Sequence, residues 1–134
     1  MSHDSQFRTA LGRARGLGSA HHGVSAFIVE RSTSVALVPL CLWAVYAAIK
    51  VAPLGYESAV LMLRQPVNAI MSLLLVGVSF LHMRVGLRVV IEDYVHTPAA
   101  KILALLANSA LCWLGWAIAT FSILWVAFVG GPVH

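Results

Sequence analysis

Three long apolar stretches separated by short polar breaks dominate the chain from Thr33 onward. The first runs from about Thr33 to Ala52. Ser32 and Thr33 supply a helix-start signal, Lys50 lies near the far end, and Pro53-Leu54-Gly55 stops the run. Pro39 falls inside it and predicts a bend, because proline removes one backbone hydrogen bond. The second stretch spans about Pro66 to Ile91, with Pro66 suited to a first helical turn. The third spans about Pro98 to Val129 and ends at Gly130-Gly131-Pro132. At ~1.5 Å rise per residue each has the ~20 residues needed to cross a ~30 Å hydrocarbon core. The pattern therefore predicts an all-α membrane protein with three transmembrane helices. An N-terminal segment, 1–32, precedes the three-helix domain, 33–129, and a short tail, 130–134, follows it. There is no internal repeat, and the loops are too short for a second domain.

Composition sharpens this picture. Of the 134 residues, 60% are hydrophobic and only 10% charged, against about 25% charged in soluble domains. Mean hydropathy is +0.86. The formal net charge of +4 does not point to nucleic acid, because the cations gather at the ends of apolar runs, where they set topology and meet lipid headgroups. Arg8, Arg13, Arg15 and Arg31 precede the first run, and Arg84, Arg88 and Lys101 flank the connection between the second and third. Only Lys50 and Arg64 border the opposite loop. The N-terminus is thus expected on the cytoplasmic (or matrix) side and the C-terminus on the other. With no apolar run before residue 33, a secretory signal peptide is not expected, although the Arg-rich, acid-poor start also imitates a mitochondrial transit peptide. Cys41 and Cys112 lie in separate apolar runs without disulfide or zinc spacing and read as packing residues.

The chemistry concentrates at the end of the second run, from Phe80 to His96. Ionisable side chains are costly within a bilayer, so His82, about nine residues from the end of that run, is the residue to explain. Four positions on, Gly86 falls on the same face, where it offers no side chain to obstruct a flat macrocycle, and Ser79 lies three positions below. A neutral imidazole is a common axial haem ligand. His82 is the chain's one mid-membrane histidine, so a second ligand would have to come from a partner or a second copy. The alternative is a histidine that hydrogen-bonds across a helix interface with no cofactor. Asp93, eleven residues beyond His82, would sit about 20° off its face and ~16 Å along the axis if the helix persists. An acid beside a phenol, Asp93-Tyr94, can hydrogen-bond and protonate a quinone at the membrane boundary. The alternative there is an interfacial tyrosine with solvated acids.

Taken together, His82-x3-Gly86-Leu-x-Val-Val-Ile-Glu92-Asp93-Tyr94-Val-His96 resembles the hydrophobic membrane anchor of bacterial, alphaproteobacterial-like succinate dehydrogenases. Gly16-Leu17-Gly18-Ser19-Ala20 and the run from Arg31 to Leu40 add to the likeness, which covers roughly residues 9 to 129. The resemblance implies that His82 is the axial ligand of haem b, with its iron as the metal, and that Tyr94 hydrogen-bonds ubiquinone with Asp93 beside it. Arg31 matches an arginine near the quinone and the haem propionates. It further implies a companion cytochrome b anchor that carries the other haem ligand, an iron–sulfur subunit, and a flavoprotein subunit where succinate is oxidised. Flavin and iron–sulfur clusters would thus belong to partners only, and the chain would lie in the bacterial inner membrane. The chain itself has neither a GxGxxG motif nor a cysteine set for a cluster.

Where the family usually has histidine, tryptophan and Gln-Arg before the first helix, this chain reads Val24-Ser-Ala-Phe-Ile-Val-Glu30-Arg31, so the haem and quinone surroundings differ there. His21 and His22 are expected in a loop. Arg84 and Arg88 lie roughly 200° and 240° from His82 around the helix and are expected to snorkel to inner-leaflet phosphate or to pair with a partner. Met83 faces away from the haem side, and Trp113, Trp116 and Trp125 read as lipid-facing or packing residues. Two competing readings are a haem-free structural or assembly protein and a small homodimeric b-type cytochrome.

Overall fold

The structure, a computed structural model, describes residues 20–129. The arginines at 8, 13 and 15, the stretch 16–19 and the tail 130–134 lie outside them. Within the described residues four α-helices follow one another: α1, Ala20–Val51; α2, Tyr56–Arg64; α3, Pro66–Tyr94; and α4, Pro98–Phe128. A 3-10 turn, Ala52–Leu54, joins α1 to α2. Three stretches are long and apolar enough to cross a membrane, Phe27–Leu54, Pro66–Tyr94 and Pro98–Phe128.

Helix α1 begins at Ala20, thirteen residues before the expected start. The Ser32-Thr33 signal fails because the hydroxyls in this region do not cap a helix start. Thr33 Oγ1 donates back to Val29 O, 2.8 Å away, and Ser34 Oγ to Glu30 O, 2.8 Å away. Such i−4 bonds occur inside a helix, and 20–32 contains no proline to end one. His21 and His22 are therefore part of a helix and not of a loop. Helix α1 also continues through Pro39 as one element.

The short helix α2 replaces an expected loop. Gly55, at φ 81, makes the turn that only glycine adopts without strain, and the chain re-enters a helix at Tyr56. Glu57 in the first turn and Arg64 in the last suit the helix dipole. Beyond its end, Asn68 Nδ2 donates to Met62 O, 3.1 Å away, occupying a terminal carbonyl. Val60 anchors the element, being 6% exposed.

Helix α3 lies at the centre, packed against α1 on one side and α4 on the other, with α2 across the ends of α3 and α4. The α3–α4 pair runs antiparallel through close contacts of small residues. A Cβ added at Gly115 would come within 2.7 Å of Phe80 Cε1, and one at Gly77 within 3.6 Å of Trp116 Nε1. Among the described residues few side chains are buried within the chain: Thr33, Leu40, Val60, Asn108 and Cys112. The outward faces carry Val35, Leu42, Ile49, Leu103, Leu111 and Phe121, all exposed. In water such a surface would aggregate; it fits lipid chains and neighbouring helices.

Candidate functional site

His82 occupies the face of α3 that meets α1, and its Nδ1 lies 3.0 Å from Thr33 Oγ1. Thr33 is 7% exposed, and its oxygen also lies 3.0 Å from Glu30 O. The imidazole is half-buried, and among the described residues its Nε2 has no hydrogen-bond partner. One turn further along, Gly86 opens onto free space, with no atom within 4 Å of where a Cβ would be. His82 thus hydrogen-bonds across a helix interface through one ring nitrogen, as the cofactor-free reading expects of it, and its other ring nitrogen is not engaged among the described residues.

Arg84 points the opposite way, to α4. Its Nε donates to Ser109 Oγ, 3.2 Å away, and its guanidinium lies 5.5 Å from the centre of the Trp113 ring. Within the chain Arg84 thus binds to α4, a contact that the sequence reading does not name. Helical side chains slant toward the N-terminus of their helix, which for α3 leads away from the charge-rich end at Tyr94, and Ser109 and Trp113 receive the cation there. Trp113 in turn packs edge-on against Trp116, at 5.6 Å. Arg88 pairs with Glu92 on its own helix, 2.8 Å away, with both side chains largely exposed. A cavity of about 380 Å³ opens beside these residues, lined by Ser25, Arg84, Arg88, Asn108 and Ser109 among others.

Helix α3 stays helical through Asp93 and Tyr94, three residues past Ile91. Asp93 therefore keeps its helical relation to His82, ~16 Å along the axis. Both Asp93 and Tyr94 are exposed, Tyr94 by 78%. Lys101 Nζ donates to Glu92 O, 2.9 Å away, and ties the end of α3 to the start of α4. Arg31 lies on α1 two positions before Thr33, about 200° around that helix. It is exposed, its guanidinium 5.3 Å from the centre of the Phe27 ring. Within this chain, then, His82 and Gly86 share one turn of α3, Asp93 and Tyr94 sit together at its end, and Arg31 faces outward on α1.

Two polar residues that sequence patterning does not place at the site prove central. Thr33 reads as a helix start yet supports His82. Asn108 sits in a run that reads as merely hydrophobic yet is 8% exposed and donates to the Arg84 carbonyl. An amide amid apolar residues was the available signal for it. Among the described residues no three His, Cys, Asp or Glu side chains form a cluster for a metal ion.

Three apolar helices, with polar side chains at their interfaces and ends and one histidine at mid-span, define a multi-pass α-helical membrane protein. Comparison with known families matches residues 5–129 to the succinate dehydrogenase/fumarate reductase transmembrane subunits, and the chain belongs to that family. It is 30% identical over 118 residues to the succinate dehydrogenase hydrophobic membrane anchor subunit of Rickettsia bellii, covering 86% of this chain and 94% of the relative. The protein of the same description from Rickettsia conorii is 30% identical over 90 residues, 66% of this chain and 71% of the relative. That from Rickettsia typhi is 23% identical over 108 residues, 81% and 86% respectively. No solved structure matches the chain significantly.

Proposed function

We propose that this chain anchors a succinate:quinone oxidoreductase in the bacterial inner membrane, holds one side of haem b through His82, and forms part of the ubiquinone site with Tyr94 and Asp93. The observation that carries this reading is the pairing of His82 Nδ1 with Thr33 beside an open Gly86, which leaves Nε2 free to ligate iron. Bound there, haem b supplies one-electron transfer chemistry between the iron–sulfur subunit and the quinone. The companion cytochrome b anchor would contribute the other haem ligand and cover exposed apolar faces of this chain. Succinate oxidation belongs to the flavoprotein subunit.

The residues of this chain then divide the work. His82 would hold the iron, and Gly86 would leave room for the macrocycle beside α3. At the end of α3, the Tyr94 hydroxyl donates to a quinone carbonyl, and Asp93 holds or releases a proton next to it. Arg31, two positions from Thr33 on α1 and exposed, would supply positive charge to a propionate or quinone. The cation asymmetry supports an N-terminus in the cytoplasm and a C-terminus in the periplasm.

A reduced-minus-oxidised spectrum of the purified complex, with its subunits identified and with His82→Ala compared, tests this reading. Haem b together with flavin and iron–sulfur subunits, and loss of haem in the variant, are the expected results. Haem alone would favour a homodimeric cytochrome, and neither haem nor redox partners a structural protein. Unchanged haem in His82→Ala removes His82 as the ligand.

A further inference from the structure

We infer that Thr33 is a positioning residue for the haem ligand: its hydroxyl accepts the Nδ1–H of His82, and so fixes the tautomer that presents an unprotonated Nε2 to iron. This rests on the haem reading above and adds to it a residue on a different helix.

The assignment follows from counting protons. A threonine hydroxyl has one hydrogen and two lone pairs, whereas a carbonyl oxygen can only accept. Thr33 Oγ1 lies 2.8 Å from Val29 O and 3.0 Å from Glu30 O, so its hydrogen is spent on the α1 backbone. The oxygen then offers lone pairs alone to His82, and the 3.0 Å contact is a hydrogen bond only if Nδ1 carries the proton. A neutral imidazole has a single N–H, which leaves Nε2 as a bare donor atom. The reverse arrangement, with Thr33 donating to Nδ1, would turn the Oγ1 lone pairs toward two carbonyl oxygens at contact distance, a repulsive geometry.

Location strengthens the effect. Thr33 is buried, so water does not compete for its hydroxyl, and the bond acts in a low-dielectric setting. The backbone bonds also hold the Oγ1 rotamer, so the acceptor is in place before haem arrives. A hydrogen bond at the far nitrogen orients a ligating imidazole and raises its basicity, and losing such a partner typically weakens metal affinity or activity 10–100-fold. A more basic ligand stabilises the ferric state, so Thr33 should hold the haem potential low.

The experiment compares Thr33→Val, Thr33→Ser and His82→Ala in the purified whole complex by haem content, redox titration of the haem and low-spin electron paramagnetic resonance. Valine keeps the shape and removes the hydroxyl; serine keeps the hydroxyl. Thr33→Val is expected to bind haem about 10-fold or more weakly, with a more positive potential and a shifted low-spin signal, and Thr33→Ser to behave as wild type. Thr33→Ala carries the same expectation should the valine variant not assemble. If His82→Ala abolishes haem while the hydroxyl-free variants keep wild-type haem content, potential and signal, this inference falls and the haem reading stands. Equal perturbation by serine and valine also overturns it, because the hydroxyl is then not the agent. Wild-type haem in His82→Ala overturns both.

Discussion

Asn108 of α4 donates its side-chain amide to the backbone carbonyl of Arg84 on α3, 3.0 Å away, while its own Oδ1 accepts from Cys112 Sγ at 3.4 Å. The bond sits one residue from the Arg84–Ser109 contact, so two neighbouring polar links set the register of the antiparallel pair at mid-span. In a membrane, where lipid is as apolar as leucine, such links and close packing replace hydrophobic burial as the source of helix association.

Asn108→Leu should therefore loosen α3 against α4 without preventing insertion. The carbonyl of Arg84 remains within the helix ladder, so the cost is one interhelical bond, about 0.6 kcal/mol and at most about 1.7 kcal/mol. Titrating the purified chain with sodium dodecyl sulfate in mixed micelles, followed by circular dichroism, checks this. No change in midpoint would show that the amide is not a structural link.

Gly115 and Gly86 should respond differently to a methyl group. Gly115→Ala drives a methyl to within 2.7 Å of Phe80 Cε1, so the ring must move, and overpacking of this kind costs about 1–3 kcal/mol. Phe80→Leu in the same chain should restore much of that loss. Gly86→Ala meets nothing in the chain, so its stability should be unchanged. Any effect of Gly86→Ala should emerge only as lower haem content in the assembled complex. A stability loss in Gly86→Ala as large as in Gly115→Ala contradicts the packing described here.

Tyr94 is 78% exposed, and among the described residues no hydrogen bond of its hydroxyl holds the chain together. Tyr94→Phe should accordingly leave folding and assembly intact. A hydroxyl donating to quinone contributes about 0.5–1.5 kcal/mol, and more as the carbonyl gains charge on reduction. Quinone reductase turnover should fall several-fold, while succinate oxidation with an artificial dye acceptor stays near wild type. Asp93→Asn should lower quinone turnover in the same assay through slower proton delivery. Wild-type quinone reduction by Tyr94→Phe would mark the tyrosine as an interfacial residue.

What the sequence by itself determined is whatever depends on the solvent and not on neighbours. Long apolar runs must become helices in lipid, because every backbone polar group has to be satisfied within the segment, so three spans were legible from Thr33 onward. The cost of a histidine at mid-span is likewise independent of what touches it, which is why His82 stood out. The pattern from His82 to His96 supplied the family. Only the tertiary structure decided which faces meet. Thr33 read as a start signal because hydroxyl residues cap helices in isolation; packing on α3 made it the partner of His82 instead. Arg84 read as a cation for lipid phosphate or a partner; the fold adds Ser109 and Trp113 of α4 as its neighbours. The helix α2 depends on a turn at Gly55, which the sequence shows as a break, and on Val60 finding cover, which local propensity does not show. Such pairings join residues 24 to 49 positions apart, and hydrophobic periodicity carries no information about them in segments that are apolar on every side.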